Sequence, residues 1–152
     1  MAIVNTPEGD DMGETLPHIT SAELKILKIL WSDGPQTVRQ VRDALASEGG
    51  EPPAYTTVMT LMKQMAEKGT LRVDRQAPSY VYTAAVHRER VLRQRLTQFL
   101  HTVFDGQAAD LVLHLVEAAE LKPEDLRRIE SKIEQQERVE RRKPASPRQQ
   151  RR

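Results

Sequence analysis

One stretch of the sequence, residues 53–69 with the letters PAYTTVMTLMKQMAEKG, constrains the fold more than any other. Val58, Leu61, Met62 and Met65 follow one another at helical spacing, which places four apolar side chains on one stripe of a helix. The opposite side collects Thr56, Met59, Thr60, Lys63 and Glu67, with Tyr55 and Thr57 near the start of the helix. This face is rich in hydroxyl groups and only lightly charged, whereas an ordinary solvated face would favour glutamate and lysine. Short hydroxyl side chains can contact phosphates or base edges without filling a DNA major groove. This face therefore suits DNA, although an undistinguished helix surface remains the alternative.

The composition narrows the class of protein. The chain has 152 residues, 38% of them hydrophobic and 30% charged, which fits one globular domain or two small ones. The absence of cysteine excludes disulfides, thiol catalysis and thiolate metal sites, and no two of the four histidines have helical spacing. We therefore expect neither a metal site nor a cofactor. No apolar run approaches the roughly 20 residues that cross a bilayer, and the acidic N-terminus does not resemble a secretory signal, so we expect a cytoplasmic protein without membrane insertion.

The charge is unevenly distributed along the chain. The net charge is +1, but residues 1–15 carry −4 and residues 138–152 carry +6, so the residues between them are close to neutral. Any nucleic-acid binding must then come from local placement of cations, with the basic tail as an auxiliary.

A disordered acidic leader and two helices are predicted before residue 53. Residues 1–17 lack periodicity, and this predicts the leader. Thr20 with Glu23, and Thr37 with Gln40, then have the spacing of capping boxes that open helices. The residues expected to face the core are Leu24, Leu27, Leu30 and Trp31 in the first helix and Val38, Val41 and Leu45 in the second.

A hairpin is predicted after the third helix. Residues 71–75 alternate apolar and charged side chains, residues 76–79 favour a turn, and residues 80–83 are rich in strand formers. Three helices followed by a hairpin are the layout of a winged helix-turn-helix domain, here over residues 18–85, in which the third helix enters the major groove. The candidate DNA contacts are Arg39 and Arg42 on the second helix, Tyr55, Thr56, Thr57, Met59, Thr60 and Lys63 on the third, and Arg72, Arg75, Ser79 and Tyr80 on the hairpin. For each of them, a solvated surface side chain is the alternative interpretation.

The sequence changes character near residue 86, and three further helices are predicted over residues 86–140. The segment from Ala108 to Ala119 is apolar around most of its circumference, so it must be covered. Roughly 50 residues in three helices bury little surface alone, and we expect this subdomain to close its core against a second copy. Packing against the winged helix is the alternative. The candidate dimerisation residues are Leu92, Leu96, Phe99, Leu100, Val103, Leu111, Leu115, Leu126, Ile129 and Ile133. Residues 141–152 predict a basic disordered tail.

Several stretches resemble the penicillinase repressor family, which includes the BlaI, MecI and copper-responsive CopY repressors. They are ITSAELKILKILW, GPQTVRQV, YTTVMTLMKQMAEKGTL and VYTAAV, followed by a helical tail that contains FDG and LKPEDLRRIE, and they span roughly residues 16–137. The resemblance implies a mainly α, dimeric winged-helix repressor. In antibiotic-responsive members, a membrane metallopeptidase sensor sets off proteolysis in the dimerisation helices, which would fall within residues 97–104 here.

This sequence departs from the family pattern at the recognition helix and the wing. The family usually has a basic residue where Met59 stands, often an arginine where Gln64 stands, and commonly a glycine where Ala77 and Pro78 stand. A different operator sequence and a different hairpin turn are therefore expected. The lack of cysteine excludes copper sensing through thiolates.

Two functions from different classes are compatible with these features. The first is a homodimeric transcriptional repressor that covers a promoter by binding a pseudo-palindromic double-stranded operator and leaves it when the dimer is lost. The second is a winged-helix adaptor that binds proteins and has no sequence-specific DNA binding. The near-neutral charge of the domain is compatible with this second function. We do not expect an enzyme, because the sequence has no glycine-rich phosphate loop and no set of histidine, carboxylate and nucleophile.

Overall fold

The computed structural model of the chain describes residues 15–143. Residues 1–14 of the leader expected over residues 1–17, and residues 144–152 of the tail expected over residues 141–152, lie outside the described part. The chain forms two compact units, Met1–Leu96 and Thr97–Arg152. Its helices and strands are α1 (Ser21–Asp33), β1 (Gln36–Thr37), α2 (Val38–Ser47), α3 (Tyr55–Glu67), β2 (Leu71–Asp74), β3 (Val81–Ala84), α4 (Arg88–Phe104), α5 (Ala108–Glu117) and α6 (Pro123–Arg142).

Both predicted capping boxes are confirmed. The Thr20 hydroxyl accepts the Glu23 N–H at 3.2 Å, while the Glu23 carboxylate accepts the Thr20 N–H at 2.8 Å. Thr37 and Gln40 exchange the equivalent bonds at 3.3 and 2.9 Å. These contacts satisfy backbone donors that have no partner within the helix, and they fix where α1 and α2 begin.

The sheet has one strand more than the predicted hairpin. Within the described residues its order is β1-β3-β2, and both pairs are antiparallel. Gln36 lies opposite Tyr82 and Thr37 opposite Val81, so the residue that caps α2 also belongs to the sheet. A strand of two residues has no alternation to detect, which is why β1 was not predicted.

A single apolar cluster forms the core of the first unit. The predicted inward stripe of α3 is largely correct, since Val58, Met62 and Met65 are buried and Leu61 is half-buried. The stripe of α1 is rotated from its predicted position. The buried residues of the cluster are Ile19, Ile26, Leu27, Ile29, Leu30, Val38, Val41, Val58, Met62, Met65, Leu71, Tyr82 and Val91, whereas Leu24, Trp31 and Leu45 are only partly buried against it.

The first unit continues into α4, beyond the boundary expected at residue 85. Val91 is fully buried in the same core. The Trp31 indole N–H donates to the Val86 carbonyl at 3.0 Å, so the unique tryptophan joins the end of α1 to the segment that leads into α4. Trp31 therefore serves the structure, as predicted, with a polar contact in addition to its apolar one.

The segment before α1 is also attached to α4. The Gln94 side-chain amide donates to the Leu16 carbonyl at 3.3 Å, and the Arg95 guanidinium donates to the Ile19 carbonyl at 3.1 Å. Leu16 itself packs against the core, although it was expected to lie in the leader.

The second unit comprises the end of α4, α5 and α6. α4 ends where Asp105 and Gly106 adopt positive φ angles of 50° and 80°, at the predicted stop. The Phe104 ring then packs against Phe99 at 5.8 Å and against His114 at 5.3 Å between ring centroids. Within residues 97–143 no side chain is buried. α6 extends to Arg142, past its expected end, and none of the described helices is long and apolar enough to span a membrane.

Candidate nucleic-acid interface

The outward face of α3 presents the residues predicted to contact DNA. Tyr55 is 48% exposed, Thr56, Thr57, Thr60 and Lys63 are exposed, and Met59 is half-buried. The side chains on this face are therefore accessible to a partner in the single chain.

An open groove of about 780 Å³ lies between α2, α3 and the hairpin. Seven of the predicted contacts line it, namely Arg39, Arg42, Tyr55, Met59, Lys63, Ser79 and Tyr80. Thr37, Val38 and Tyr82 also line it and were not predicted. Thr37 and Val38 enter the lining because β1 brings the start of α2 to the sheet, a long-range contact without a local sequence signal.

A second groove of about 720 Å³ lies between the C-terminal half of α3 and the hairpin. Lys63, Arg72, Arg75 and Tyr80 line it, with Glu67 as an acidic neighbour. Lys63 and Tyr80 therefore border both grooves. The predicted contacts Thr56, Thr57 and Thr60 line neither groove, because they lie further round the exposed side of α3.

The two grooves are positively charged although the chain as a whole is near neutral. Their linings contain five cations, Arg39, Arg42, Lys63, Arg72 and Arg75, and one acid, Glu67, among the described residues. None of the five forms an ion pair with another residue in residues 15–143. Unpaired cations around a concave surface attract polyanions, and the tyrosine, serine and threonine hydroxyls add hydrogen-bond donors. Burial raises the pKa of the Tyr82 phenol above its usual value of 10.

The start of α3 is fixed from α2. The Arg42 Nε donates to the Pro53 carbonyl at 3.1 Å, and this arginine is half-buried. The N-cap residue Ala54 offers no side-chain acceptor to the first turn of α3. The N–H groups of that turn carry a partial positive charge, which favours an anion such as a phosphate.

The end of α3 is fixed by an ion pair that was not predicted from the sequence. The Lys68 ammonium donates to both oxygens of the Glu23 carboxylate, at 2.8 and 2.9 Å. Burial alone would raise the pKa of Glu23, but the hydrogen bond from Lys68, the Thr20 N–H and the lysine charge together lower it. One feature of the sequence could have indicated this pair. Glu23 lies three and four residues before Ile26 and Leu27, on the apolar face of α1, where a carboxylate needs a partner.

The predicted dimerisation residues are largely accessible. Six are exposed, namely Leu96, Phe99, Val103, Leu126, Ile129 and Ile133. Leu92, Leu100, Leu111 and Leu115 are half-buried. Val112, Leu113, Val116 and Val139 are also exposed and were not among the predicted contacts.

The chain is similar in sequence to known proteins. The model of the family described as penicillinase repressor matches residues 19–135. The penicillinase repressor of Bacillus licheniformis is 22% identical over 120 residues, which cover 79% of this chain and 92% of that protein. The transcriptional regulator BlaI of Mycobacterium tuberculosis is 31% identical over 104 residues, which cover 67% of this chain and 74% of that protein.

Proposed function

The chain belongs to the penicillinase repressor family, a family of transcriptional repressors, and from this membership we propose that it acts as a homodimer on a pseudo-palindromic operator. The observation that carries the proposal is the pair of cationic grooves along α3. With α3 in the major groove, its side chains reach base edges, while α2 and the hairpin contact phosphates on either side.

The exposed side chains of α3 and those of α2 and the hairpin have separate roles in this proposal. Tyr55, Thr56, Thr57, Met59, Thr60 and Lys63 approach base edges from α3, and Arg39, Arg42, Arg72, Arg75 and Tyr80 position the DNA backbone. The uncapped first turn of α3 adds N–H donors for a phosphate. Repression then results from occupation of the promoter.

The second unit is the proposed dimer interface. Its exposed apolar side chains would be covered by the same unit of a second copy, because contiguous apolar surface of this kind marks an interaction site. A single copy neutralises few phosphates and binds weakly, so loss of the dimer releases the operator. We propose that this release follows cleavage within residues 97–104 by a membrane metallopeptidase sensor.

A footprint on the protein's own upstream DNA tests the proposal. With excess competitor DNA, we expect a discrete protected region with two-fold symmetry. Its affinity should fall with salt by about 0.9 in log K per neutralised phosphate for each tenfold rise in salt concentration. Uniform coating of all DNA, or no binding at all, would contradict operator recognition and favour a protein-binding adaptor.

The assigned face can be tested by one charge reversal. Lys63→Glu places a carboxylate where both grooves meet, and we expect it to abolish the footprint because it repels DNA phosphates. Lys28→Glu is the matched control, since Lys28 is exposed on α1 and lines neither groove. Circular dichroism should show both variants folded. Equal binding by the two variants would show that another face contacts DNA.

A further inference from the structure

We propose that Met59, flanked by Tyr55, recognises the 5-methyl group of a thymine in each operator half-site. This inference rests on the proposed operator binding and specifies what one part of α3 reads.

Tyr55 and Met59 are one helical turn apart on α3, and Lys63 follows one turn later. All three line the groove that α3 forms with α2 and the hairpin, where Arg39 and Arg42 provide the other cations. The row therefore contains two neighbouring side chains with large apolar parts and then a charge.

Tyr55 and Met59 place apolar surface inside a groove whose charged side chains are all cationic, and phosphate binding does not explain these two residues. Met59 is only partly buried against the core, so part of its side chain faces the groove. A phosphate would be contacted better by a cation at this position. Among the base edges exposed in the major groove, thymine alone carries an apolar group, its 5-methyl.

The two side chains suit such a group. The methionine thioether is flexible and polarisable, and it can adjust to a methyl group at the base edge. The Tyr55 ring, 48% exposed beside it, can shield the contact from water. Arg39 and Arg42 line the same groove, so their phosphate contacts fix the DNA there while the apolar patch faces the bases.

The chemistry of DNA allows the methyl group to be removed without any other change. Once the footprint defines the operator, each thymine is replaced in turn by deoxyuridine. For the natural chain, we expect one sensitive thymine in each half-site, at positions that the two-fold symmetry of the operator relates. Replacement of this thymine should weaken binding about fourfold per half-site, the loss expected for one buried methyl group.

The same replacements are then measured with variants of α3. Met59→Gln should bind the natural operator and the deoxyuridine operator equally well, because a polar amide replaces the apolar end of the side chain. Met59→Ala should also do so, because its side chain is too short to reach the base edge that methionine contacts. Met59→Gln keeps the length of the side chain, so it protects the test against a loss of packing. Lys28→Ala is the control, since Lys28 is exposed on α1 and lines neither groove, and it should retain the full sensitivity.

The outcomes separate this inference from the proposed function. If the natural chain binds its operator and every deoxyuridine operator with the same affinity, the methyl contact is wrong while the repressor proposal stands. Undiminished sensitivity in both Met59 variants would assign the contact to another residue and also overturn the inference. The absence of any footprint would overturn operator binding and the inference with it.

Discussion

At the scale of single residues, polar contacts outside the two grooves hold α3, which lines both of them, in place. Lys68 follows directly after α3 and pairs with Glu23, which is only 5% exposed on α1. A buried carboxylate is tolerated only when its oxygens are paired, and here Lys68 and Thr20 supply the donors. The contact fixes the end of α3 relative to α1.

Lys68→Met should therefore destabilise the protein by about 1–3 kcal/mol, because it leaves the buried Glu23 carboxylate without its main donor. Urea unfolding at pH 7 measures this loss. Lys63→Met, on the exposed side of the same helix, should change the free energy of unfolding by no more than about 0.5 kcal/mol. Equal effects of the two substitutions would show that the buried pair contributes nothing.

The same substitution should have a smaller effect in acid. The pKa of Glu23 in the folded chain is lowered from its usual 4.5, so the stability from this group is fully present above pH 4.5. It is lost as the pH falls through the lower, folded value, because the protonated carboxyl no longer attracts Lys68. Unfolding of both chains at a series of pH values should show the difference shrinking in that window, and a constant difference would contradict the assigned pair.

At the scale of the elements, one residue links the start of α2 to the sheet and to the groove. Thr37 caps α2 through its hydroxyl, pairs with Val81 across β1 and β3, and lines the first groove. The position of Arg39 and Arg42, in the first two turns of α2, therefore depends on this junction.

Replacing Thr37 by alanine should cost about 1 kcal/mol, within a range of about 0.5–2, because the N–H of Gln40 loses its acceptor. Thr37→Ser keeps the hydroxyl and is the control, with little loss expected. Thermal unfolding of the three chains measures the effect. If serine were as harmful as alanine, the threonine methyl group and not the cap would be responsible.

At the scale of the whole molecule, the two units differ in how they bury apolar surface. The first has a closed core, whereas the described part of the second leaves Leu113, Ile133 and Val139 more than half exposed. Such a surface is compatible with the proposed contact to a second copy of the chain. In a two-fold symmetric interface, each substitution is present in both copies and therefore affects the interface at two places.

Ile133→Glu should weaken the proposed dimer by more than about tenfold, because a carboxylate would be buried without a partner in both copies. Gln135→Glu introduces the same charge on roughly the opposite side of α6 and should leave the dimer intact. Sedimentation equilibrium distinguishes dimer from monomer. A natural chain that is monomeric at all concentrations would refute the interface, as would equal dissociation of both variants.

Part of the candidate site could be predicted from the sequence because a solvated helix face differs in composition from a DNA-facing one. Tyr55, Met59 and Lys63 were identified in this way and line a groove. Thr56 and Thr60 were identified by the same criterion, but around the helix axis they lie about a quarter-turn away from the line through Tyr55, Met59 and Lys63. Composition marks a face of a helix, but it does not show which side of that face a neighbouring element will enclose.

The sequence by itself determined the elements, since helical periodicity, capping boxes and strand alternation act between residues a few positions apart. The capping residues Thr20 and Thr37 and the stop at Gly106 are examples. Only the tertiary structure decided the pairing of Glu23 with Lys68, 45 residues later, and of β1 with β3. These contacts depend on how separate elements meet in space, and a local pattern carries no information about a partner that lies far along the chain.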